Sequence, residues 1–218
     1  MDQIPALMDP PQFLALAAAL GWASGFRLYA ALFLTGLSGY MGWIELPPGL
    51  QILQHPGVLG ASGFMLFVEF FADKIPYVDS LWDAVHTLVR IPAGAALAAG
   101  ALGADSTAMA WIAALVGGSL AATSHATKMT TRAAVNTSPE PFSNVAVSLF
   151  EDGLVVFLLW LSATHPAIFT VVLVVSIVVA IVLLVVLVKF LKRVIRELQD
   201  FFAGRRARAP APQLPGEL

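Results

Sequence analysis

Ionisable side chains set inside apolar sequence constrain this chain more than any other feature. Arg27 stands within an apolar run, and Glu69, Asp73, Lys74, Asp79, Asp83, His86 and Arg90 crowd into one short stretch between apolar segments. Hydrocarbon cannot solvate a charge, so such groups are costly unless they turn inward onto a partner, a pathway or a relay. Several of the surrounding runs reach the roughly 20 apolar residues that a helix needs to cross a bilayer. With 58% of residues hydrophobic and only 12% charged, the chain reads as an integral membrane protein. Isolated strands cannot satisfy their backbone in lipid, so every span is expected to be a helix. The expected fold is an all-α polytopic membrane bundle of about six transmembrane helices.

The transmembrane domain is placed at 13–188, in six segments. The first covers 13–37. The second, 56–71, is short and ends at Asp73 and Lys74. The third begins after Pro76, carries the polar residues to Arg90, then turns small and apolar. The fourth covers 107–132 and the fifth 145–163. The sixth, 167–188, is almost wholly Val, Leu and Ile. The polar halves of segments two and three also permit a re-entrant hairpin, which is tolerated where protein or water covers it. Residues 1–12 form an N-terminal tail without the basic flank of a signal peptide, so no cleavage is expected.

Beyond segment six, 189–208 reads as a basic amphipathic juxtamembrane helix. Phe190, Leu191, Val194, Ile195, Leu198, Phe201 and Phe202 lie along one side, and basic residues occupy much of the other. Lying on anionic lipid, each Lys or Arg would contribute about 1 kcal/mol; the plainer reading is that it fixes topology. Residues 209–218 are expected to form a disordered tail. Seven of the 12 Lys and Arg fall in the last thirty positions, so the positive-inside rule puts the C-terminus in the cytoplasm. Six crossings would return the N-terminus to that side, an orientation to which a tail with Asp2 and Asp9 but no basic residue gives no support. The absence of cysteine excludes disulfides, thiolate metal sites and cysteine nucleophiles. Nothing points to nucleic acid, and the oligomeric state is not legible.

Helical spacing organises the polar residues. At about 100° per residue, Asp79, Asp83, His86 and Arg90 fall within an arc of roughly 60°, and His125, Lys128, Arg132 and Asn136 within roughly 80°. Glu69 and Asp73 share a face, as do Asn144, Ser148 and Asp152, with Glu151 adjacent. Each group has a plain alternative. Residues 79–90 suit an interfacial helix between Pro76 and Pro92, whose charges simply contact water. His125, Lys128 and Arg132 suit a solvated helix end, Gly153 suits the true start of segment five, and Arg27 suits a structural ion pair. Gly94, Ala95, Ala98, Ala99 and Gly103 permit close helix contact, internal or between protomers.

The combination GFRLY (25–29), EFFADKIPYVDSLWDAVHT (69–87), HATKMTTRAAVN (125–136), SPEPFSN (138–144) and SLFED (148–152) resembles the bacterial multi-pass membrane family catalogued as domain of unknown function 4126. The resemblance spans roughly 13–165 and implies a bacterial inner-membrane protein with no established activity. Glu69, Asp73 and Lys74 are also loosely similar to the Glu-x-Gly-Asp-Lys/Arg-Thr/Ser signature of calcium and manganese cation/proton exchangers. Here three residues separate Glu from Asp, the glycine is missing and Ile75 replaces Thr/Ser. Those exchangers are built from two inverted halves. A split near Asp105 makes two inverted three-helix halves conceivable, with Arg27 answering to Lys128 and Glu69 with Asp73 to Glu151 with Asp152. The third pair is unlike, segment three being polar and segment six aliphatic.

These residues lead to a small-cation transporter or exchanger, its substrate a divalent ion and its coupling ion a proton. Glu69, Asp73, Asp79, Asp83, Glu151 and Asp152 are the ion-binding or proton-carrying candidates, with Glu69, Asp73, Glu151 and Asp152 as the expected metal set, because carboxylates suit hard cations. Arg27, Lys74, His86, Arg90, His125, Lys128, Arg132, Asn136, Asn144 and Ser148 are the charge partners or gate. Two other classes stay open: a binder or enzyme for phosphate-bearing lipids gripped by Arg27, His125, Lys128 and Arg132, and a scaffold whose polar groups only hold helices together. No signature of a serine hydrolase, zinc protease or phosphate-binding loop is present.

Overall fold

The computed structural model describes residues 10–102, 106–137 and 142–207, with side chains up to residue 200. The tail 209–218, Gly103, most of the N-terminal tail, 138–141 of the expected link and the side chains of Phe201 and Phe202 lie outside the described residues. The elements are α1 (Pro10–Tyr40), a 3₁₀ helix (Pro48–Gln54), α2 (Pro56–Ala72), α3 (Val78–Leu102), α4 (Thr107–Val135), α5 (Phe142–Thr164) and α6 (Pro166–Ala207). Among the described residues there is no strand. By length and apolarity α1, α3, α4, α5 and α6 qualify to cross a membrane, and the 3₁₀ helix with α2, bent by 71°, makes a sixth candidate.

Helix α1 is broken at its centre. Arg27 has φ −144° and ψ 79°, outside the helical region, and this one extended residue lets the chain double back. Leu16 and Ser38 line the same cavity of about 350 Å³, against Val156 to Thr164 of α5, although a straight helix would hold them about 33 Å apart at about 1.5 Å per residue. Gln12 bonds the Ala163 carbonyl (3.1 Å), while in the returning half a Cβ on Gly36 would meet Leu53 O at 2.3 Å. Both ends of α1 therefore sit at one end of the bundle, with Arg27 at the tip of a re-entrant hairpin. The polar halves of segments two and three permitted a re-entrant hairpin; the chain doubles back in segment one, and α3 runs unbroken for 25 residues with Pro92 inside it. Pro10 thus lies at the opposite end of the bundle from the end of α6, not on the same side.

The seam that admits this hairpin is made of small residues. A Cβ on Gly21 would come within 2.8 Å of Gly117 Cα, and one on Gly25 within 1.9 Å of Ser124 Oγ and 2.3 Å of Ala121 O. Helices α3 and α4 meet the same way, with 2.6 Å from a Gly94 Cβ to Ala121 Cβ and 2.3 Å from a Gly117 Cβ to Ala98 Cβ. The small stripe of α3 is accordingly an internal contact. Large apolar side chains point outward instead, among them Phe64, Phe67, Leu88, Trp111 and Leu115, as expected for lipid-facing walls. Helix α6 packs along the edge, and among the described residues the basic stretch from Lys189 continues it without a break as far as Ala207.

Two outcomes check this path. In a chain without native cysteine, Pro11→Cys and Met41→Cys will label with a membrane-impermeant maleimide from the same side, and Lys192→Cys from the other; labelling of the first two from opposite sides would mean that α1 spans. Gly25→Val, which forces α1 off α4, will cost more than the usual 1–3 kcal/mol of core overpacking, seen as loss of folded protein by fluorescence-detected gel filtration.

Candidate functional site

Breaking α1 frees backbone carbonyls that water cannot reach, and basic side chains from α3 and α4 take them up. Phe26 O accepts from Lys128 (3.1 Å), and Gly25 O accepts from Arg90 (3.4 Å) and faces His125 Nδ1 (3.3 Å). The C-terminal carbonyls of α2 are treated likewise: Phe70 O accepts from Lys74 (3.1 Å) and Asp73 O from Arg132 (3.1 Å). Cations at helix C-termini are favoured by the macrodipole and by the unsatisfied carbonyls there.

The same bases hold carboxylates, and together they form an unbroken alternation of acid and base. Glu69 Oε1 accepts from Arg90 (2.6 Å), which also donates to Asp83 Oδ1 (2.7 Å). Asp83 meets Lys128 (3.1 Å), and Lys128 bonds Asp73. Asp73 takes Arg27, whose Nε lies 2.9 Å from Asp152, and Asp152 closes the row on Lys74 at 3.4 Å. Arg27 further donates to Ser148 Oγ (2.7 Å). A branch runs through Arg132, which bonds Glu151 (2.6 Å) and Asn144 and stands 4.0 Å from Asp79. Asn136 secures Asp79 from the other side (3.0 Å). Arg27, Glu69, Asp73, Asp79, Asp83, Arg90, Lys128 and Arg132 are all 0% exposed; only Lys74 and Asp152, at 17% and 23% side-chain exposure, reach the edge. Burial holds the Lys74 ammonium below the ordinary lysine value, against the pull of Asp152.

Most of these side chains are ones that helical spacing marks as sharing a face along α3, α4 or α5. The stripes 79–90 and 125–136 face inward toward each other, so neither the interfacial helix nor the solvated helix end applies. His125 meets the row at Arg90 (3.4 Å to Nδ1) and pairs through Nε2 with Thr87 (2.7 Å). His86 does not join the row of charges: its Nδ1 is 2.8 Å from Trp82 O, and its ring stacks on Trp82 and meets Tyr29 edge-on. The expected metal set is not brought together. Glu69, Asp73, Glu151 and Asp152 each engage a guanidinium or ammonium, and among the described residues no group of three or more His, Asp or Glu is arranged to hold a metal ion. Sequence reasoning missed Thr87, Ser80, which bonds Asn136 (3.0 Å), and the carbonyls at the break. Gly25 directly before the Phe26-Arg27 pair was the only signal for the last.

The sequence profile described as domain of unknown function DUF4126 matches residues 14–186. The chain belongs to the DUF4126 family. No curated protein and no solved structure matches it, and the likeness to cation/proton exchangers finds no counterpart in these comparisons. The DUF4126 match extends past the motifs at 25–152 to take in the first half of α6, so the charge row, nearly all of the hairpin and half of the edge helix fall within the family domain.

Removing one partner from a buried ion pair strands the other, at about 3–5 kcal/mol. Arg90→Ala, which leaves Glu69 with no base, will lower stability by that amount, whereas Lys74→Ala at the partly exposed edge will cost about 1 kcal/mol or less. Thermal unfolding in detergent measures both. The double variant Glu69→Gln with Arg90→Met will regain part of the loss.

Proposed function

We propose that this protein is a transporter of a small cation, coupled to protons, with the acid and base row as the coupling element. One observation carries the reading. Six acids (Glu69, Asp73, Asp79, Asp83, Glu151, Asp152) meet five bases (Arg27, Lys74, Arg90, Lys128, Arg132) in the cluster, and the buried oxygens Glu69 Oε2, Asp73 Oδ1 and Asp83 Oδ2 have no hydrogen-bond partner among the described residues. When all are ionised the cluster is one positive charge short, and an unmatched buried charge is strongly unfavourable. A proton or a small cation supplies the missing charge. Lys74 is the loosest base, and its departure raises the deficit to two, the charge of a divalent ion.

Helices interrupted beside a buried polar site are a recurring way to build ion sites in transporters, and α1 fits that pattern. The basic residues of α6 favour a cytoplasmic C-terminus in the bacterial inner membrane, with its exposed Lys189, Lys192, Arg193 and Arg196 near anionic lipid. That orientation opens the charge row toward the cytoplasm and puts the start of α1 outside. A phosphate-lipid site is less well supported, because Lys128 and Arg132 are already committed to carboxylates.

Reconstitution into vesicles holding a pH-sensitive dye tests this reading. Adding Na⁺, K⁺, Mg²⁺, Ca²⁺ or Mn²⁺ in turn will drive proton movement for at least one ion. Asp83→Asn will abolish that movement while eluting as folded protein, and Glu45→Gln, at the far end of the bundle, will not. If no ion moves protons through the wild-type protein, the reading fails.

A further inference from the structure

A second site opens toward lipid on the opposite flank of the hairpin tip. A cavity of about 280 Å³ lies between α1, α4, α5 and α6, walled by Trp22, Phe26, Phe150 and Val179. Phe150 is 69% and Val179 49% exposed, so the mouth faces the medium around the bundle, which for these apolar helices is hydrocarbon. Four polar residues interrupt the apolar lining, Glu151, Thr127, Thr131 and Ser176, of which Thr127 donates its hydroxyl to Thr123 O (2.9 Å). Glu151 is 2% exposed, and its bonded oxygen is the one that takes Arg132. Its other oxygen and the hydroxyls of Thr131 and Ser176 have no hydrogen-bond partner among the described residues. A concave, mostly apolar groove with a few polar groups at fixed points is the usual form of a small-molecule site, and this one is at the small end of the size range.

We infer that this groove binds a short-chain primary ammonium amphiphile that enters laterally from the bilayer. The apolar walls take the alkyl chain. The head must be a cation and a donor: Glu151 repels an anion, the bases nearby are engaged, and the cluster behind Glu151 carries more acid than base. A primary ammonium has three N–H donors, matching in number the three free acceptors, and charge-assisted bonds to a carboxylate are among the strongest available. This inference goes beyond transport, since binding here requires no flux through the charge row.

Isothermal titration of the full chain in nanodiscs, with protein-free nanodiscs subtracted, tests it using octylamine at neutral pH. Octylammonium is expected to bind saturably at one site, with octanol and octanoate at least about tenfold weaker. Val179→Trp, which fills the groove without touching the ion pairs, will remove binding; Glu151→Gln will weaken it at least about tenfold. Equal binding of octanol or octanoate, or unchanged affinity in Val179→Trp, overturns the proposal. Should Glu151→Gln fail to fold, Val179→Trp alone decides.

Discussion

A guanidinium at the point where a buried helix breaks is the constraint on which the remaining architecture depends. Arg27 cannot be left uncompensated away from water, and neither can the carbonyls released by its extended backbone. One fully buried residue thus demands carboxylates from α2 and α5, while its freed neighbours demand bases from α3 and α4. Those bases in turn require acids. The result is a closed set of obligations in which each of α1 to α5 contributes a charged group. Buried ion pairs of this kind are poor evidence for stability by themselves, but an alternating row admits few rearrangements that leave no charge stranded.

The distribution of polarity is inverted relative to a water-soluble protein. Tryptophans, phenylalanines and valines cover the outside, and the centre holds arginine, lysine and carboxylates. Close packing between α1, α3 and α4 then falls to glycine and alanine, because apolar surface gains nothing by leaving lipid for protein and contact must come from shape. A small residue such as Gly117, where a new Cβ would stand 2.3 Å from Ala98 Cβ, therefore leaves no room for substitution without moving a helix.

Much of this was legible in the sequence. Six apolar segments, their approximate ends and the membership of two inward stripes follow from composition and from helical angles, since lipid leaves the backbone few choices and buried charge must share a face. The doubling back of α1 was not legible. It turns on a single dihedral pair at Arg27, within a segment whose length and apolarity fit a straight span, and only tertiary contacts decide between the two. The pairing was equally hidden: spacing along one helix tells which residues face inward, not which base stands between two acids. Asp73 shows this, lying at the end of a short segment yet joining Arg27 and Lys128. The pairing of Glu69, Asp73, Glu151 and Asp152 with bases was hidden for the same reason, because carboxylates counted without their bases look free.

The order in which the ribosome delivers these groups sets a schedule for membrane entry. Arg27 emerges 46 positions before Asp73 and far ahead of Asp152, and an arginine at the centre of a helix opposes insertion by about 2.5–3.5 kcal/mol on biological scales. The first hairpin therefore has no stable berth in the bilayer when it is made. It must wait at the headgroups, or beside the insertion machinery, until later segments arrive to receive it, so a segment made before its partners is among the last to settle.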